Sequence, residues 1–311
     1  MMEATPITYQ LAASILPQRP NDSHKGTFGK ALIIAGSKQF PGAANLAIQA
    51  ALRSGVGLVY AAIPESIYIP LSASIPEAIW FILPEESGAI SLKEPLHRAG
   101  SASSYFTYIL KRIDAVLIGP GLGQAEGAQA FLLALLRYLH EQASDLPLVV
   151  DADALNLLSQ QPNWPSLLSH KVILTPHEME FSRLTGLPVE EIHTNRQVLA
   201  ADYAQQWGQT FILKGANTLV ASPEGKLHIL PFANSALAHG GTGDVLAGLL
   251  VGLLAQRLTP YDAAMLAVWL HARAAELALE AVGHPAAVLP SDIIQKLGRA
   301  TKDAAGFFTW K

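Results

Sequence analysis

The sequence predicts an α/β fold: a mostly parallel central sheet with helices on both faces, plus a short antiparallel meander. Three observations predict it. Apolar runs of a few residues, each ended by Gly or Pro, alternate with helical patterns along most of the chain. Such runs are apolar throughout rather than alternating, as strands covered on both faces are. Late in the chain three short runs follow one another with only turn residues between them.

In order, residues 1–28 read as an N-terminal arm rich in polar and proline residues, with one short amphipathic piece around Tyr9 to Leu16. Residues 29–311 read as a single domain, because no repeat, low-complexity stretch or linker interrupts them. Ala31 to Ala35 is the first strand, followed by a helix from about Gly42 to Ser54. Leu58 to Ile63 is the next strand and Pro64 ends it. Ala115 to Ile118 is stopped by Gly119-Pro120-Gly121-Leu122-Gly123, with a helix from about Ala125 to Glu141. Leu148 to Val150 leads into Asp151-Ala152-Asp153 and a helix, and Val172 to Leu174 into Thr175-Pro176-His177. The meander comprises Phe211 to Lys214, Thr218 to Ala221 and Lys226 to Leu230. Three helices then start near Asp244, Tyr261 and Pro290.

Half of the 311 residues are hydrophobic and 15% are charged, a globular composition with enough apolar surface for a sizeable core. The net charge of -4 gives no general attraction to nucleic acid or an acidic membrane. The absence of cysteine excludes disulfides, thiolate zinc sites and cysteine nucleophiles, and fits a reducing compartment. Met1 to Pro6 has no basic region followed by an apolar run, so no secretion signal is read there. The stretch after Asp244 has about ten apolar residues before Gln256, against the roughly 20 that a bilayer requires. A soluble protein is expected.

The chemistry is concentrated at expected strand ends, where open α/β sheets collect their ligands. Gly240-Gly241-Thr242-Gly243-Asp244 opens an almost wholly apolar helix. The first amides of a helix lack internal partners and carry partial positive charge, and glycines let an oxygen-rich ligand approach the backbone. Asp244 adds a negative charge where a phosphate is welcome, so its expected work is to take a proton or hold a metal. The small residues Gly36-Ser37 and Pro41 to Ala44 suit a bulky ligand or an ordinary βα turn. Gly119 to Gly123 suits a phosphate or, again, a plain turn. Of Asp151 and Asp153, the second is expected to cap its helix. Thr175 is placed to cap the next helix, with Pro176 in its first turn and His177 and Glu180 on one face. That pair has a spacing a divalent ion accepts, but two residues do not make a metal site. Lys214 to Thr218 by itself reads as a hairpin turn with one charged head. His24-Lys25-Gly26 either touches an anionic ligand or faces solvent, and His239 either reaches a phosphate or shapes the glycine loop.

Taken together these segments resemble the ADP- or ATP-dependent NAD(P)H-hydrate dehydratases of the ribokinase-like superfamily. The resemblance is carried, in the family's order over roughly residues 20 to 300, by His24 to Gly29, Ala35-Gly36-Ser37 with Pro41 to Ala44, Arg53-Ser54-Gly55, Ile118 to Gly123, Asp151 to Leu155, Leu174 to Glu180, Leu213-Lys214-Gly215 and Gly240 to Gly248. It implies a ribokinase-like fold and a substrate that is the hydrated S epimer of NADH or NADPH, restored by ADP- or ATP-dependent removal of water. By the same resemblance the dinucleotide meets Ala44, Gly121, His177 and Asp244. The adenine nucleotide meets Lys214, Gly215, Ala216, Asn217, Thr218 and Gly243, with the Gly241, Thr242 and Gly243 amides on the transferring group.

Asp244 is the implied catalytic base, and Mg²⁺ is implied on the nucleotide with no protein ligands of its own. A cytoplasmic homo-oligomer is implied, and the apolar stretch Val245 to Leu254 suits either a core or an interface. Many members carry a fused epimerase domain; about 28 residues before the family-like core are too few for one, so epimerisation is expected from a separate protein. Before the glycine cluster the family has an Asn-x-Gly-like stretch, where this chain reads Asn234-Ser235.

The nearest alternative is a ribokinase-like kinase for a vitamin precursor, a hydroxyethylthiazole or hydroxymethylpyrimidine. Pro176-His177 and His24-Lys25-Gly26 favour the dehydratase. A nucleotide-binding module without turnover gains nothing from Asp244, and a Rossmann dehydrogenase lacks its Gly-x-Gly-x-x-Gly after the first strand. ADP against ATP and NADH against NADPH stay open.

Overall fold

The computed structural model describes residues 4–91 and 102–306. Met1 to Glu3, on which part of the secretion-signal reading falls, lie outside the described residues, as do residues 307–311 at the far end of the expected domain. The elements in chain order are β1 (Thr5–Pro6), α1 (Tyr9–Ile15), β2 (Lys30–Ile34), α2 (Pro41–Arg53), β3 (Leu58–Pro64), α3 (Tyr68–Ser74), β4 (Ile79–Leu83), β5 (Glu85–Glu86), β6 (Ala89–Ile90) and α4 (Ala102–Leu110). Next come β7 (Ala115–Ile118), α5 (Glu126–Gln142), β8 (Leu148–Val150), α6 (Asp153–Ser159), β9 (Val172–Leu174), α7 (Glu178–Thr185), α8 (Val189–Thr194) and α9 (Arg196–Trp207). The chain closes with β10 (Thr210–Leu213), β11 (Leu219–Ala221), β12 (Leu227–Ile229), α10 (Thr242–Ala255), α11 (Pro260–Val282) and α12 (Pro290–Ala304).

Ten strands form one sheet in the order β1-β12-β11-β10-β9-β8-β7-β2-β3-β4. Neighbours run parallel except β11, which is antiparallel to both β10 and β12 and makes the expected meander. Alternate residues of each strand enter opposite cores. Ala31 and Ile33 of β2 join α2, α10, α11 and α12, whereas Leu32 and Ile34 join α5, α6, α7 and α9. Both sets are buried, which is why the strands read as continuous apolar runs.

The arm is part of this frame. β1 pairs with β12 at the sheet edge, and the Tyr9 ring of α1 lies 6.1 Å from Trp269 of α11. The β4 edge strand was not evident in the sequence. Ile79 and Ile82 are exposed while Phe81 and Leu83 are buried, so it lacks the two-sided apolar signature of its neighbours.

Two features position the site. The chain runs from β2 outward to β3 on one side and returns to β7 on the other, so a switch point opens between β2 and β7 at their carboxyl ends. There the Gly36 amide donates to the Pro120 carbonyl at 2.8 Å. The second feature is α10, in which every residue except Gly243 and Asp244 is buried. It is apolar all round because it lies in the core, which decides the fate of Val245 to Leu254 within this chain. It approaches α2 so closely that a Cβ built on Gly248 would stand 2.0 Å from the Ala47 carbonyl oxygen.

Candidate active site

The site grows from the amino end of α10. Gly241, at φ 99°, is its N-cap, and no side chain caps this end. The left-handed backbone favours glycine there and leaves the first-turn amides open to the crevice. The loop before it is tied down by the Thr242 hydroxyl, which donates to the Leu237 and His239 carbonyls at 2.9 and 3.0 Å. His239 therefore shapes the glycine loop through its backbone, and it also lines the cavity in front. Asn234 accepts from the Ala236 amide at 2.9 Å and so fixes the preceding turn.

Beside the cradle stands a charge cluster drawn from three strand ends. The Lys214 ammonium, just past β10, donates to Asp151 Oδ1 at 2.7 Å and lies 3.6 Å from Glu180 Oε2. Asp151 also accepts from the Thr175 hydroxyl at 2.7 Å and is 1% exposed. A Cβ on Gly243 would lie 3.5 Å from Lys214 Nζ, so the ammonium sits against the helix amides. Burial alone would lower the basicity of Lys214, but the Asp151 and Glu180 carboxylates outweigh it and hold it above its ordinary value. This cation is kept charged next to a phosphate cradle.

Asp244 pays no heed to its ordinary range. Burial, reinforced by the Asp151 charge and only partly offset by Lys214, pushes its carboxyl up to about 7. Asp153 raises it further, which places Asp244 between the Lys214 cluster and the Asp153 side of the crevice. Glu180 is likewise pushed to about 7, chiefly by burial against the pull of Lys214.

Two capping expectations are corrected. His177, not Thr175, caps α7: its Nδ1 accepts from the Met179 and Glu180 amides at 3.2 Å each, and Glu180 returns a bond to the His177 amide at 2.9 Å. Thr175 cannot serve because its hydroxyl is committed to Asp151. Burial, then Lys214, lowers the His177 pKa, so the ring is neutral with its proton on Nε2. Asp153 caps nothing; its carboxylate accepts from the Gly123 amide at 2.9 Å and fastens the glycine loop to α6.

A cavity of about 690 Å³ lies in front of the cradle. Its walls bring together Lys214, Gly215, Ala216 and Thr218 of the hairpin turn, Thr242 and Gly243 of the cradle, and His177. Phe232, Leu237 and Leu246 supply an apolar side. Asn217 and Gly241 are not among the lining residues. Asn217, at φ 57°, builds the turn by donating its amide to the Phe232 carbonyl at 3.1 Å.

Asp244 lies next to the cavity rather than in its lining, and Ala44 and Gly121 lie at the switch point. Ala44 is fully buried against Gly36, and Gly121 abuts Phe40 and Ala43, so neither presents a polar side chain. His24 and Lys25 are exposed on a turn ahead of β2, at the amino edge of the strands and away from this crevice. His271, on α11, also lines the cavity; the sequence gave no hint of it, since it sits inside a long apolar helix.

The family model for NAD(P)H-hydrate dehydratase matches residues 31–299. The chain belongs to the NAD(P)H-hydrate dehydratase family. A relative from Bacillus subtilis, an ADP-dependent (S)-NAD(P)H-hydrate dehydratase, is 37% identical over 270 residues, covering 87% of this chain and 88% of the relative. The fold is ribokinase-like. A crystal structure of the Bacillus subtilis ADP/ATP-dependent dehydratase, co-crystallised with ATP and Mg²⁺, superposes with a TM-score of 0.79 at 34% identity, covering 98% of this chain and 100% of that one. A ribokinase-like superfamily protein from Enterococcus faecalis gives 0.79 at 30% identity, with 97% and 96% covered. The chain spans about half the length of several bifunctional NAD(P)H-hydrate repair enzymes that it also matches. Among the described residues no helix is long and apolar enough to cross a membrane.

Proposed function

We propose that this dehydratase-family chain removes water from the S epimer of hydrated NADH or NADPH at the expense of ADP or ATP. The observation that carries the proposal is Asp244, a carboxyl brought to about 7 beside an uncapped helix end and a buried ammonium. Hydroxide is a poor leaving group. Asp244 takes the proton of the ring hydroxyl as its oxygen attacks the terminal phosphorus, and the nucleotide leaves shortened by one phosphate. The Gly241 to Gly243 amides and Lys214 stabilise charge on the transferring group. The ring nitrogen's lone pair then expels phosphate, the adjacent ring carbon loses a proton, and the reduced nicotinamide is restored.

The proposed nucleotide contacts are Lys214 to Thr218 with Gly241 to Gly243, and the proposed dinucleotide contacts are Ala44, Gly121, His177 and Asp244. Among the described residues no three acidic or histidine side chains form a metal cage. That fits Mg²⁺ carried on the phosphates and waters of the nucleotide, where it supplies charge neutralisation. A cytoplasmic homo-oligomer working with an NAD(P)H-hydrate epimerase completes the proposal, because only one epimer is consumed.

The test is to mix hydrated NADH with ADP and follow nicotinamide absorbance. Recovery of the band with release of AMP and phosphate is expected; phosphorylation of a thiazole or pyrimidine alcohol without recovery would overturn the proposal in favour of the kinase. The pH profile follows from Asp244, whose base form is the active one. With its carboxyl near 7, kcat/KM should fall about tenfold per pH unit below about 6 and level off above about 8. A rate flat from pH about 5 upward would remove Asp244 from the role of base.

A further inference from the structure

His271 lies in α11 between Leu270 and Ala272, is 7% exposed, and lines the cavity opposite the hairpin turn. Its Nε2 is buried without a hydrogen-bond partner. An orphaned acceptor or donor in a protein interior costs about 1–3 kcal/mol, so such an atom on a cavity wall calls for a partner. The ring also engages the Thr242 backbone in a contact that favours the protonated ring, which only the carbonyl can do. The ring proton therefore sits on Nδ1, and Nε2 presents a lone pair. Burial carries the imidazole down to about 4, so it is neutral wherever the enzyme works. A neutral lone pair offers nothing to a phosphate and requires a donor.

We propose that His271 is a nucleotide-binding residue whose Nε2 accepts a hydrogen bond from an uncharged donor of the nucleotide, a ribose hydroxyl or the exocyclic amine of the base. The inference rests on the nucleotide reading of this cavity. Lys214 and the cradle hold the phosphates at one end, so the ribose and base extend along the wall formed by Phe232, Leu237 and His271. His271 then ties nucleotide identity to the cradle itself, because its other nitrogen is held by Thr242.

Calorimetric titration of the wild type, His271→Phe and His271→Gln with ADP, 2′-deoxy-ADP, 3′-deoxy-ADP and IDP tests this. The wild type should bind one analogue, the one lacking the paired donor, about 3- to 10-fold more weakly than ADP. His271→Phe should bind ADP that much more weakly and lose the discrimination, while His271→Gln, which keeps an acceptor, regains part of both. In turnover the loss should appear in KM for the nucleotide, with kcat changed less than about threefold. Should His271→Phe not fold, His271→Met carries the same expectation. Wild-type and variant chains that discriminate equally would overturn this inference alone. A wild type that binds none of the four would overturn the nucleotide reading and the inference with it.

Discussion

Asp244→Asn should lower kcat by about 10²- to 10⁴-fold while leaving nucleotide affinity unchanged or slightly tighter. The amide keeps the size of the carboxyl and loses only its ability to take a proton, and removing a negative charge beside the cradle favours a phosphate. The same substitution should stabilise the fold, and the sign depends on pH. Asp244 is held at about 7 against an ordinary 3.8, so the folded state prefers the protonated carboxyl. Its penalty is absent below about pH 4, grows between, and is complete above about pH 7. Because the side chain is partly open to solvent, the gain is discounted to about 1–3 kcal/mol at pH 8. Thermal unfolding at pH 4 and pH 8 separates these cases: a gain at pH 8 that vanishes at pH 4 is expected. Equal turnover in the mutant would refute the assigned role.

The second large effect is structural. Gly248→Ala should destabilise the protein by about 3 kcal/mol in urea unfolding, and Gly248→Val should prevent folding. Alanine gains up to about 1 kcal/mol in helix propensity, but its methyl would meet the Ala47 carbonyl at 2.0 Å, a backbone atom that cannot swing aside. The overlap wins, and moving α10 away from α2 displaces the cradle at its amino end. Gly298→Ala is the control. That glycine is exposed in α12 with nothing within 4 Å of a built Cβ, so propensity acts alone and a gain of up to about 1 kcal/mol is expected. If both glycines responded alike, close packing of α10 on α2 would not be what Gly248 provides.

Much of this architecture was legible because local chemistry and global position agree. β2, β7, β8 and β9 are short, apolar on both faces and ended by Gly or Asp, and α10 opens on glycines and runs apolar into the core. What escaped did so for physical reasons. β4 is an edge with one face exposed, and α9 shows only Ala200, Ala201, Ala204 and Trp207 to the core, too small a stripe to stand out.

The site was legible as a set of strand-end clusters but not as bonds. Lys214 looks like a turn residue until β8 and β10 bring it to Asp151, 63 positions away. Thr175 is a better cap than His177 by type, and only the Asp151 contact takes it out of that role. His271 is invisible because α11 is apolar around it and its orphaned nitrogen exists only once α10 packs alongside.

The most direct test of the account follows the hydroxyl oxygen. Hydrated NADPH labelled with ¹⁸O in the ring hydroxyl should be turned over with ADP in unlabelled water, and the released phosphate weighed by mass spectrometry. Transfer of the phosphoryl group to that hydroxyl, as Asp244 takes its proton, predicts that the label leaves in inorganic phosphate. Label found in water, with phosphate unlabelled, would contradict it.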